Sequence, residues 1–391
     1  MHFSALLAVL PLTLATPTHK APLLRRDNAD LIPGKYIVMF KNSPGVSPSA
    51  ARVQQISGSI AAPPDHVFKN IGGGGLAVSL SDVELEKLRL MPHVSYIEQD
   101  SRVNISATQQ DSTWGLGRIS SKKPGSTTYN YDDSAGAGTC AYVIDTGIDV
   151  DHPDFEGRAT FAKSFVEGAT TDDQGHGTHC AGTVGSKTYG VAKKTHLYAV
   201  KTLDKNGSGD SSDIIAGMDY VIEDSKTRSC PNGVIVSMSF GGSRSSATND
   251  AAKALVDAGF FVAVAAGNGL PLLGIPIDAA SQSPASEPSV CTIGATQKDD
   301  KVASFSNFGS VVDLHAPGVD VVSLKPGGGT TSLSGTSMAT PHVAGLGAYF
   351  MGLGKPAKGL CEYLQSIALK DVIRGVPVGT KNLLIQNDKS A

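Results

Sequence analysis

The pattern of apolar and polar positions divides the chain into two parts. In the first part, residues 31–103, three short runs that are β-branched, aromatic or alternately apolar predict strands. These runs are 35–40, 76–80 and 94–98. Ser81 followed by Glu84 is a capping-box signature and predicts the start of a helix over 82–90. The first part is therefore predicted to be a small α+β domain.

From Trp114 onward, nearly continuous apolar runs alternate with segments of helical periodicity. The predicted strands are 140–144, 196–200, 234–238, 260–265 and 291–294. The predicted helices are 213–225, 247–258 and the apolar run 343–350. Strands that are apolar on both faces are buried on both faces, as in a parallel sheet covered by helices. This part is predicted to be an α/β domain with an open, mostly parallel sheet and helices on both faces.

The amino-terminal run 3–15 is apolar and ends in small residues, which is typical of a secretory signal peptide. A membrane span needs about 20 apolar residues, and this run is shorter and contains Pro11. The polar segments 17–30 and 101–113 are predicted to be linkers. No later stretch is long enough to cross a bilayer, so we expect a soluble, secreted protein.

Composition narrows the class of protein. Of the 391 residues, 18% are charged and 40% are hydrophobic, as in globular proteins. The net charge of −3 argues against nucleic acid as the main partner. All five cysteines lie after residue 139, and the odd number leaves at least one outside an intramolecular pair. Zinc is disfavoured because no two cysteines have Cys-x-x-Cys spacing.

Four motifs carry candidate chemistry. Asp145 ends an apolar strand in VIDTG, His176 stands between glycines in GHGTHCAG, and Asn268 follows another strand in AAGN. Ser337 in GTSMATPH immediately precedes the apolar run 343–350, and a helix N-terminus favours a developing negative charge. A serine needs a histidine base, and the histidine needs an orienting carboxylate.

Each motif also has a plainer interpretation. Asp145 is otherwise a turn or cap residue, and Asn268 an ordinary turn asparagine. His176 and His179 share a helix face, but no glutamate lies between them and no third ligand is placed by spacing. His179 is therefore predicted to be a packed structural histidine. A lipase-like serine elbow is disfavoured, because Gly335 and Ser337 are not followed by a second glycine.

The order Asp, His, Ser, with DTG, HGTH and GTSMATPH, resembles the subtilisin superfamily and its proteinase K branch. Residues 31–103 resemble that family's inhibitor-type propeptide, and 107–391 its mature protease. The resemblance implies a signal peptide over 1–16, a propeptide over 17–106 and a peptidase domain over 107–391. It implies a secreted serine endopeptidase of broad specificity, made as a self-processing zymogen and acting through an acyl-enzyme.

The resemblance also implies the roles of the site residues. Asp145, His176 and Ser337 match the catalytic triad, and the Asn268 side chain with the Ser337 backbone N–H matches the oxyanion site. The matching substrate-binding positions are Gly207, Ser208, Gly209, Ser239, Phe240, Gly241, Ala265 and Gly267. An extended peptide is expected to bind there as an added strand, largely through backbone hydrogen bonds.

Family pairing implies two disulfides and one free thiol. The pairs are Cys140–Cys230 and Cys291–Cys361, and Cys180 would lie just beneath His176. No cofactor is required for the chemistry.

One structural Ca²⁺ is implied at the carbonyls of Pro288 and Val290 and the carboxylate of Asp313. A second family calcium site is not carried over, because its positions match Lys122 and Val372.

One segment departs from the family. After Asn268 the chain runs through the mostly apolar residues 269–277, where relatives have a shorter polar loop. This insertion either extends the substrate cleft or is an artefact of gene prediction. If it disrupts the oxyanion site, the alternative function is a catalytically impaired relative that binds peptides.

The expected partners are protein and peptide substrates and the chain's own propeptide as intramolecular inhibitor, with no nucleic acid and no membrane. We expect a monomer. Cleavage is expected near Ser106–Ala107. Asn104 begins an N-glycosylation sequon; a second, at Asn206, overlaps the substrate-binding segment and is not expected to be used.

Overall fold

The structure, a computed structural model, describes residues 20–24, 31–41, 53, 56, 58–69, 71, 73–101, 106–270 and 274–389. The chain separates into two compact units, residues 1–104 and 105–391. The predicted signal peptide over 1–16 and the sequon residue Asn104 lie outside the described residues.

The first unit is a five-stranded sheet with one described helix. Its strands are β1 (Leu23–Leu24), β2 (Leu31–Phe40), β3 (His66–Phe68), β4 (Gly75–Ser79) and β5 (Val94–Ser101), in the order β1-β5-β2-β4-β3. Helix α1 (Asp82–Arg89) begins with the predicted capping box: the Glu84 N–H donates to Ser81 Oγ at 3.3 Å, and the Ser81 N–H donates to the Glu84 carboxylate at 2.9 Å. The α+β prediction is confirmed.

The prediction of a linker over 17–30 is wrong for its described part. Leu23 and Leu24 form β1, which pairs in parallel with Ile97 and Glu98 of β5, and Ala21 is fully buried. Only two residues form this strand, too few for a sequence pattern to reveal.

The second unit contains one large sheet and three two-stranded sheets. The strands of this unit are β6 (Ser106–Gln109), β7 (Tyr129–Asp132), β8 (Cys140–Asp145), β9 (Ala159–Ser164), β10 (His196–Lys201), β11 (Val234–Met238), β12 (Gly242–Ser243), β13 (Phe261–Ala265), β14 (Gln282–Ser283), β15 (Cys291–Thr296), β16 (Leu314–Pro317), β17 (Val321–Leu324), β18 (Thr330–Leu333), β19 (Leu369–Lys370) and β20 (Leu383–Leu384). Its helices are α2 (Trp114–Ile119), α3 (His176–Gly185), α4 (Ser211–Ser225), α5 (Ser246–Asp257), α6 (Thr336–Gly352) and α7 (Leu360–Ile367).

Nine strands form the central sheet in the order β19-β20-β16-β15-β13-β11-β8-β10-β9, parallel throughout except between β19 and β20. Along β8, Ala141 and Val143 pack into the core that contains α3 and α6. Tyr142 and Ile144 point the other way, into the core that contains α4 and α5. Because successive strand residues face opposite sides, the continuous apolar runs fill both cores, and the α/β prediction is confirmed.

Two boundaries differ from the prediction. Residues 106–109, predicted to lie in a linker, form β6 and pair with β7, with Ala107 opposite Tyr131. Helix α6 begins at Thr336, seven residues before the predicted 343–350, so Ser337 lies inside the first turn of the helix. Pro341, a residue that usually interrupts a helix, lies within it.

The disulfides are Cys140–Cys230 and Cys291–Cys361, the pairs that the resemblance implies, and Cys180 is free and buried. The disulfides join residues 90 and 70 positions apart. Each cross-link of that span restricts the unfolded chain and thereby stabilises the folded state by about 4 kcal/mol. None of the described helices combines the length and apolar composition needed to cross a bilayer.

Candidate active site

Asp145 and His176 form a hydrogen-bonded pair at the carboxyl end of β8. Asp145 is the last residue of the strand and fully buried, and its Oδ1 lies 2.8 Å from Nδ1 of His176, the first residue of α3. An ionised carboxylate can only accept, so Nδ1 carries the proton and Nε2 keeps its lone pair. The pair therefore presents a base, because Nε2 is free to accept a proton.

The start of α3 is held against β8 by small and polar residues. A Cβ at Gly177 would collide with the carbonyl oxygen of Gly147, so only glycine allows this approach. Buried Asp172 accepts from the Thr146 hydroxyl at 2.9 Å and from the Thr178 hydroxyl at 2.6 Å. These contacts fix the position of the His176 ring.

The surroundings of His176 favour its charged form. Burial would lower its pKa, but the Asp145 carboxylate outweighs burial, and the pKa is raised well above its ordinary value. The Cys180 sulfur lies 3.8 Å from Nδ1, where the resemblance implies a thiol. Burial raises the pKa of Cys180, so this thiol stays protonated.

Ser337 is held by a reciprocal pair of hydrogen bonds with Ser239. The Ser337 hydroxyl donates to the Ser239 carbonyl at 2.7 Å, and the Ser239 hydroxyl donates to the Ser337 carbonyl at 2.9 Å. That carbonyl is available because Pro341, four residues later, has no N–H to donate. The structure therefore brings Ser337 to the site but directs its hydroxyl proton to Ser239 and not to His176.

The side-chain amide N–H group of Asn268 and the backbone N–H of Ser337 lie beside the same small space. Asn268 Oδ1 accepts from both the backbone N–H and the hydroxyl of Thr336 at 2.8 Å, so Nδ2 is the exposed donor end. A Cβ built on Gly335 would lie 3.4 Å from Asn268 Nδ2 and 3.5 Å from Ser337 N. Two donors thus flank one small space that is open because residue 335 has no side chain.

The apolar insertion over 269–277 is closed by its own hydrogen bonds. The Leu270 N–H donates to the Ile275 carbonyl at 2.9 Å. Asn307, 1% exposed, accepts from the backbone N–H groups of Gly269 at 3.0 Å and Ile277 at 2.9 Å. Both ends of the insertion are thereby anchored beside each other.

Two cavities are lined by predicted site residues. One, of about 650 Å³, is lined by His176, Asn268 and Ser337 and is called the catalytic cavity. The other, of about 380 Å³, is called the groove; its lining includes Gly207, Ser208, Gly209, Phe240 and Gly241. Ser239 lies between β11 and Phe240 and bonds to Ser337, as described above. Ala265 is the last residue of β13, and Gly267 follows two positions later, where its N–H donates to the Thr336 hydroxyl at 3.2 Å.

Two clusters of three potential metal ligands occur among the described residues, and in neither are all three side chains free to bind an ion. One is Asp145, His176 and Cys180, already engaged with one another. The other is Asp313 with Cys291 and Cys361, whose sulfurs are joined in a disulfide. Nε2 of His179 is 2.9 Å from the Val321 carbonyl, and this buried ring has its pKa lowered to about 4 by desolvation, as expected of a structural histidine.

Sequence reasoning missed several residues that position the site. Thr336 orients Asn268, Asp172 fixes the start of α3, and Asn307 anchors the insertion. Lys201, fully buried, donates to the carbonyls of Thr146 and Leu203 and to Asp173. A charged residue ending an apolar strand could have identified Lys201, but nothing local distinguishes Asn307.

Comparison with known proteins identifies the class of this fold and site. Residues 136–373 match the Subtilase family, and residues 35–106 match the peptidase inhibitor I9 family. The chain therefore belongs to the subtilase family. It is a subtilisin-like serine endopeptidase of the proteinase K branch with an I9 propeptide domain.

Individual relatives cover between 71% and 99% of the chain. It is 52% identical over 397 aligned residues to a cuticle-degrading protease of Metarhizium anisopliae, covering 99% of this chain and all of that one. It is 60% identical over 297 residues to proteinase T of Parengyodontium album, covering 76% of this chain and 99% of that one. A crystal structure of a cold-adapted subtilisin-like serine proteinase matches with a TM-score of 0.66 and 37% identity, covering 71% of this chain and 99% of that one.

Proposed function

We propose that the chain is a secreted endopeptidase of broad specificity, in which Asp145, His176 and Ser337 act as the triad. The observation that carries this proposal is that one cavity is lined by the His176 ring, Ser337 and the Asn268 amide, with Asp145 bonded to the far side of the ring. Fixed donors around a developing charge lower a reaction barrier most where water is excluded.

In the proposed reaction, the Ser337 hydroxyl turns from the Ser239 carbonyl to Nε2 of His176. As its oxygen attacks the scissile carbonyl carbon, its proton passes to Nε2, and Asp145 stabilises the imidazolium. His176 then gives this proton to the leaving amine, the C–N bond breaks, and an acyl ester remains on Ser337. His176 then takes a proton from water as the water oxygen attacks the ester carbonyl, and it returns this proton to the Ser337 oxygen as the ester C–O bond breaks.

Asn268 Nδ2 and the Ser337 N–H would donate to the oxyanion formed in both steps.

Since only neutral imidazole accepts a proton, kcat/KM should rise with pH through the His176 pKa, at a pH above the ordinary histidine value of 6.5.

Substrate would bind in extended form between residues 207–209 and 239–241, whose glycines leave backbone groups accessible. Small residues at Ala265 and Gly267 would leave room for a large apolar side chain before the scissile bond. Recognition mainly through the peptide backbone supports broad specificity.

The I9 domain within 17–106 would inhibit the enzyme until it is cut near Ser106–Ala107. That bond lies in β6, paired with β7, and no residue of either strand lines the catalytic cavity. We therefore propose that cleavage precedes the pairing of β6 with β7. The proposed signal peptide over 1–16 and the two disulfides support secretion. We also propose that the protein is a monomer and that it carries a glycan at Asn104.

One structural Ca²⁺ is proposed at Asp313 and the carbonyls of Pro288 and Val290, which line a common cavity. A carboxylate and two carbonyls are hard oxygen donors that suit Ca²⁺. Burial raises the Asp313 pKa, and Lys381 Nζ lies 2.8 Å from Oδ1, so this ammonium now takes the place of a cation and would have to leave. Calorimetric titration of chelator-treated protein with Ca²⁺ tests the site, and no heat in the wild type would contradict it.

Expression of the full chain as wild type and as Ser337→Ala tests the proposed triad. Ser337→Ala should lose casein hydrolysis by about 10⁶-fold, fail to react with a serine-directed phosphonate, and keep its propeptide by mass spectrometry. Ser332→Ala, an exposed serine of β18, is the matched control and should process normally. Normal cleavage by Ser337→Ala would reject the assignment. Wild-type protein that binds peptides without cutting them would instead favour the impaired-relative alternative, which no observation on the described residues supports.

A further inference from the structure

The catalytic cavity extends from His176 to the hairpin formed by β17 and β18. Besides the catalytic groups, it is lined by Lys325, Pro326, Thr331 and Leu333 of this hairpin. The groove described above shares no lining residue with it. The hairpin therefore borders the catalytic residues, whereas the groove, where residues before the scissile bond are proposed to bind, is a separate cavity.

The proposed chemistry places the residues that follow the scissile bond near this hairpin. His176 has to protonate the leaving amine, so the chain that begins with that amine must leave past the His176 ring. Gly175, next to His176, faces the hairpin: a Cβ built on it would lie 3.3 Å from Cδ of Pro326. Residues after the scissile bond would therefore pass Lys325.

Lys325 is the charged group in this cavity that is free to meet a substrate. Asp172 is buried and accepts five hydrogen bonds from residues 146–178. Asp173 is paired at 2.7 Å with the buried ammonium of Lys201. Lys325 is exposed and takes part in none of the ion pairs found in the described part of the chain.

The backbone that carries Lys325 is held in place. The Gly327 N–H donates to Asp149 Oδ2 at 2.9 Å, and His152 Nε2 lies 3.2 Å from the Gly329 carbonyl. His152 Nδ1 accepts from the Asp154 N–H at 3.2 Å, so Nε2 is the protonated nitrogen and donates. A charge on an anchored turn loses less entropy on pairing than one on a free loop.

We propose that Lys325 is a specificity-determining residue that favours substrates with an acidic side chain in the first or second position after the scissile bond. This inference rests on the proposed function of the site. A partly exposed ion pair contributes about 1 kcal/mol or less, so the selectivity expected is modest.

The test uses internally quenched peptides that are identical except for Asp, Asn or Lys at those two positions. Wild-type enzyme, obtained by expressing the full chain, should cleave the Asp peptides with kcat/KM about fivefold above the Lys peptides. The ratio should approach one in Lys325→Gln, invert in Lys325→Glu, and shrink in 1 M NaCl because salt screens exposed charges. Lys298→Glu, an exposed lysine outside the cavity, makes the same charge change and should keep the wild-type ratio.

Equal cleavage of Asp and Lys peptides by the wild type, or the same ratio in Lys325→Glu, would overturn the inference and leave the proposed function intact. A Lys298→Glu ratio that changes as much as that of Lys325→Glu would assign the effect to net charge and also overturn it. Wild-type protein that cuts none of the peptides would overturn the proposed function.

Discussion

At the residue scale, single atoms that are absent shape the site as much as those that are present. Pro341 lacks an N–H, which leaves the Ser337 carbonyl to the Ser239 hydroxyl at 2.9 Å and the Cys180 thiol at 3.4 Å. Gly335 lacks a Cβ, which leaves open the space between Asn268 Nδ2 and the Ser337 N–H. Both missing groups affect Ser337, which lies in the first turn of α6, where backbone N–H groups have no partner within the helix.

Gly335→Ala should therefore fold normally and lose turnover. Its φ of 162° is extended backbone that alanine adopts, and the new Cβ meets neighbours no closer than 3.4 Å. The methyl group would occupy the proposed oxyanion position, so kcat should fall by about 10²–10³-fold, the usual cost of a lost oxyanion donor. Steady-state kinetics on a peptide p-nitroanilide measures this, and an unchanged melting temperature serves as the folding control. Full kcat would place the oxyanion elsewhere.

At the scale of elements, loops keep catalytic residues in register with the sheet. Asn268 lies in the segment after β13, and Asn307 holds this segment on both sides through the Ala266 carbonyl at 2.9 Å and the Gly269 N–H at 3.0 Å. The same side chain anchors the far end of the insertion through Ile277. Leu270 and Ile275 remain 41% and 54% exposed, so the described part of the insertion projects apolar surface, while Asn268 keeps both hydrogen bonds from Thr336.

Asn307→Ala should lower kcat by about tenfold or more with a smaller change in KM, because Asn268 loses the groups that hold its backbone. Loss of three hydrogen bonds from a buried side chain should also reduce the free energy of unfolding by about 2–4 kcal/mol. Asn307→Asp keeps the acceptor for both N–H groups and should recover part of kcat. Asn232→Ala, which removes one bond from an exposed asparagine to the Ala137 carbonyl, is the control. If Asn307→Ala is destabilised but fully active, Asn307 supports the fold alone.

At the scale of the whole molecule, burial of histidines sets an acid limit to stability. His179, His315 and His342 are each almost completely inaccessible, and desolvation lowers the pKa of each to about 4. The unfolded chain binds protons at these rings near pH 6.5, whereas the folded chain does not until about pH 4. These three rings therefore leave stability unaffected above pH 6.5 and reduce it as the pH falls towards 4.

His315 is the clearest case, because neither of its ring nitrogens has a hydrogen-bond partner among the described residues. A pKa lowered from 6.5 to about 4 corresponds to on the order of 3 kcal/mol at pH 4. His315→Leu should therefore gain stability over the wild type as the pH falls from 8 to 4.5. Melting temperatures of the sulfonyl-fluoride-inactivated enzymes measure this, and exposed His196→Leu is the control. A His315→Leu difference that stays constant with pH would show that His315 does not titrate on unfolding.

The sequence by itself determined the classes of both domains, the positions of the four motifs and the bounds of most predicted elements to within a few residues. The exception is α6, which begins seven residues before the predicted 343–350. Local periodicity carries that information, because strands buried on two faces and an amphipathic, capped helix such as α1 are specified by adjacent residues. The two-residue strand β1 and the paired strand β6 escaped it, because what orders them is a partner strand distant in sequence.

Only the tertiary structure decided which groups meet. Ser239 and Ser337 are 98 positions apart and exchange two hydrogen bonds, and Asn307 closes an insertion that precedes it by about 30 residues. The exposure of Lys325 beside His176 and the burial of His315 likewise depend on how helices and loops pack on the sheet. Such contacts follow from the register of parallel strands and the close packing of side chains, which no local pattern of apolar and polar residues encodes.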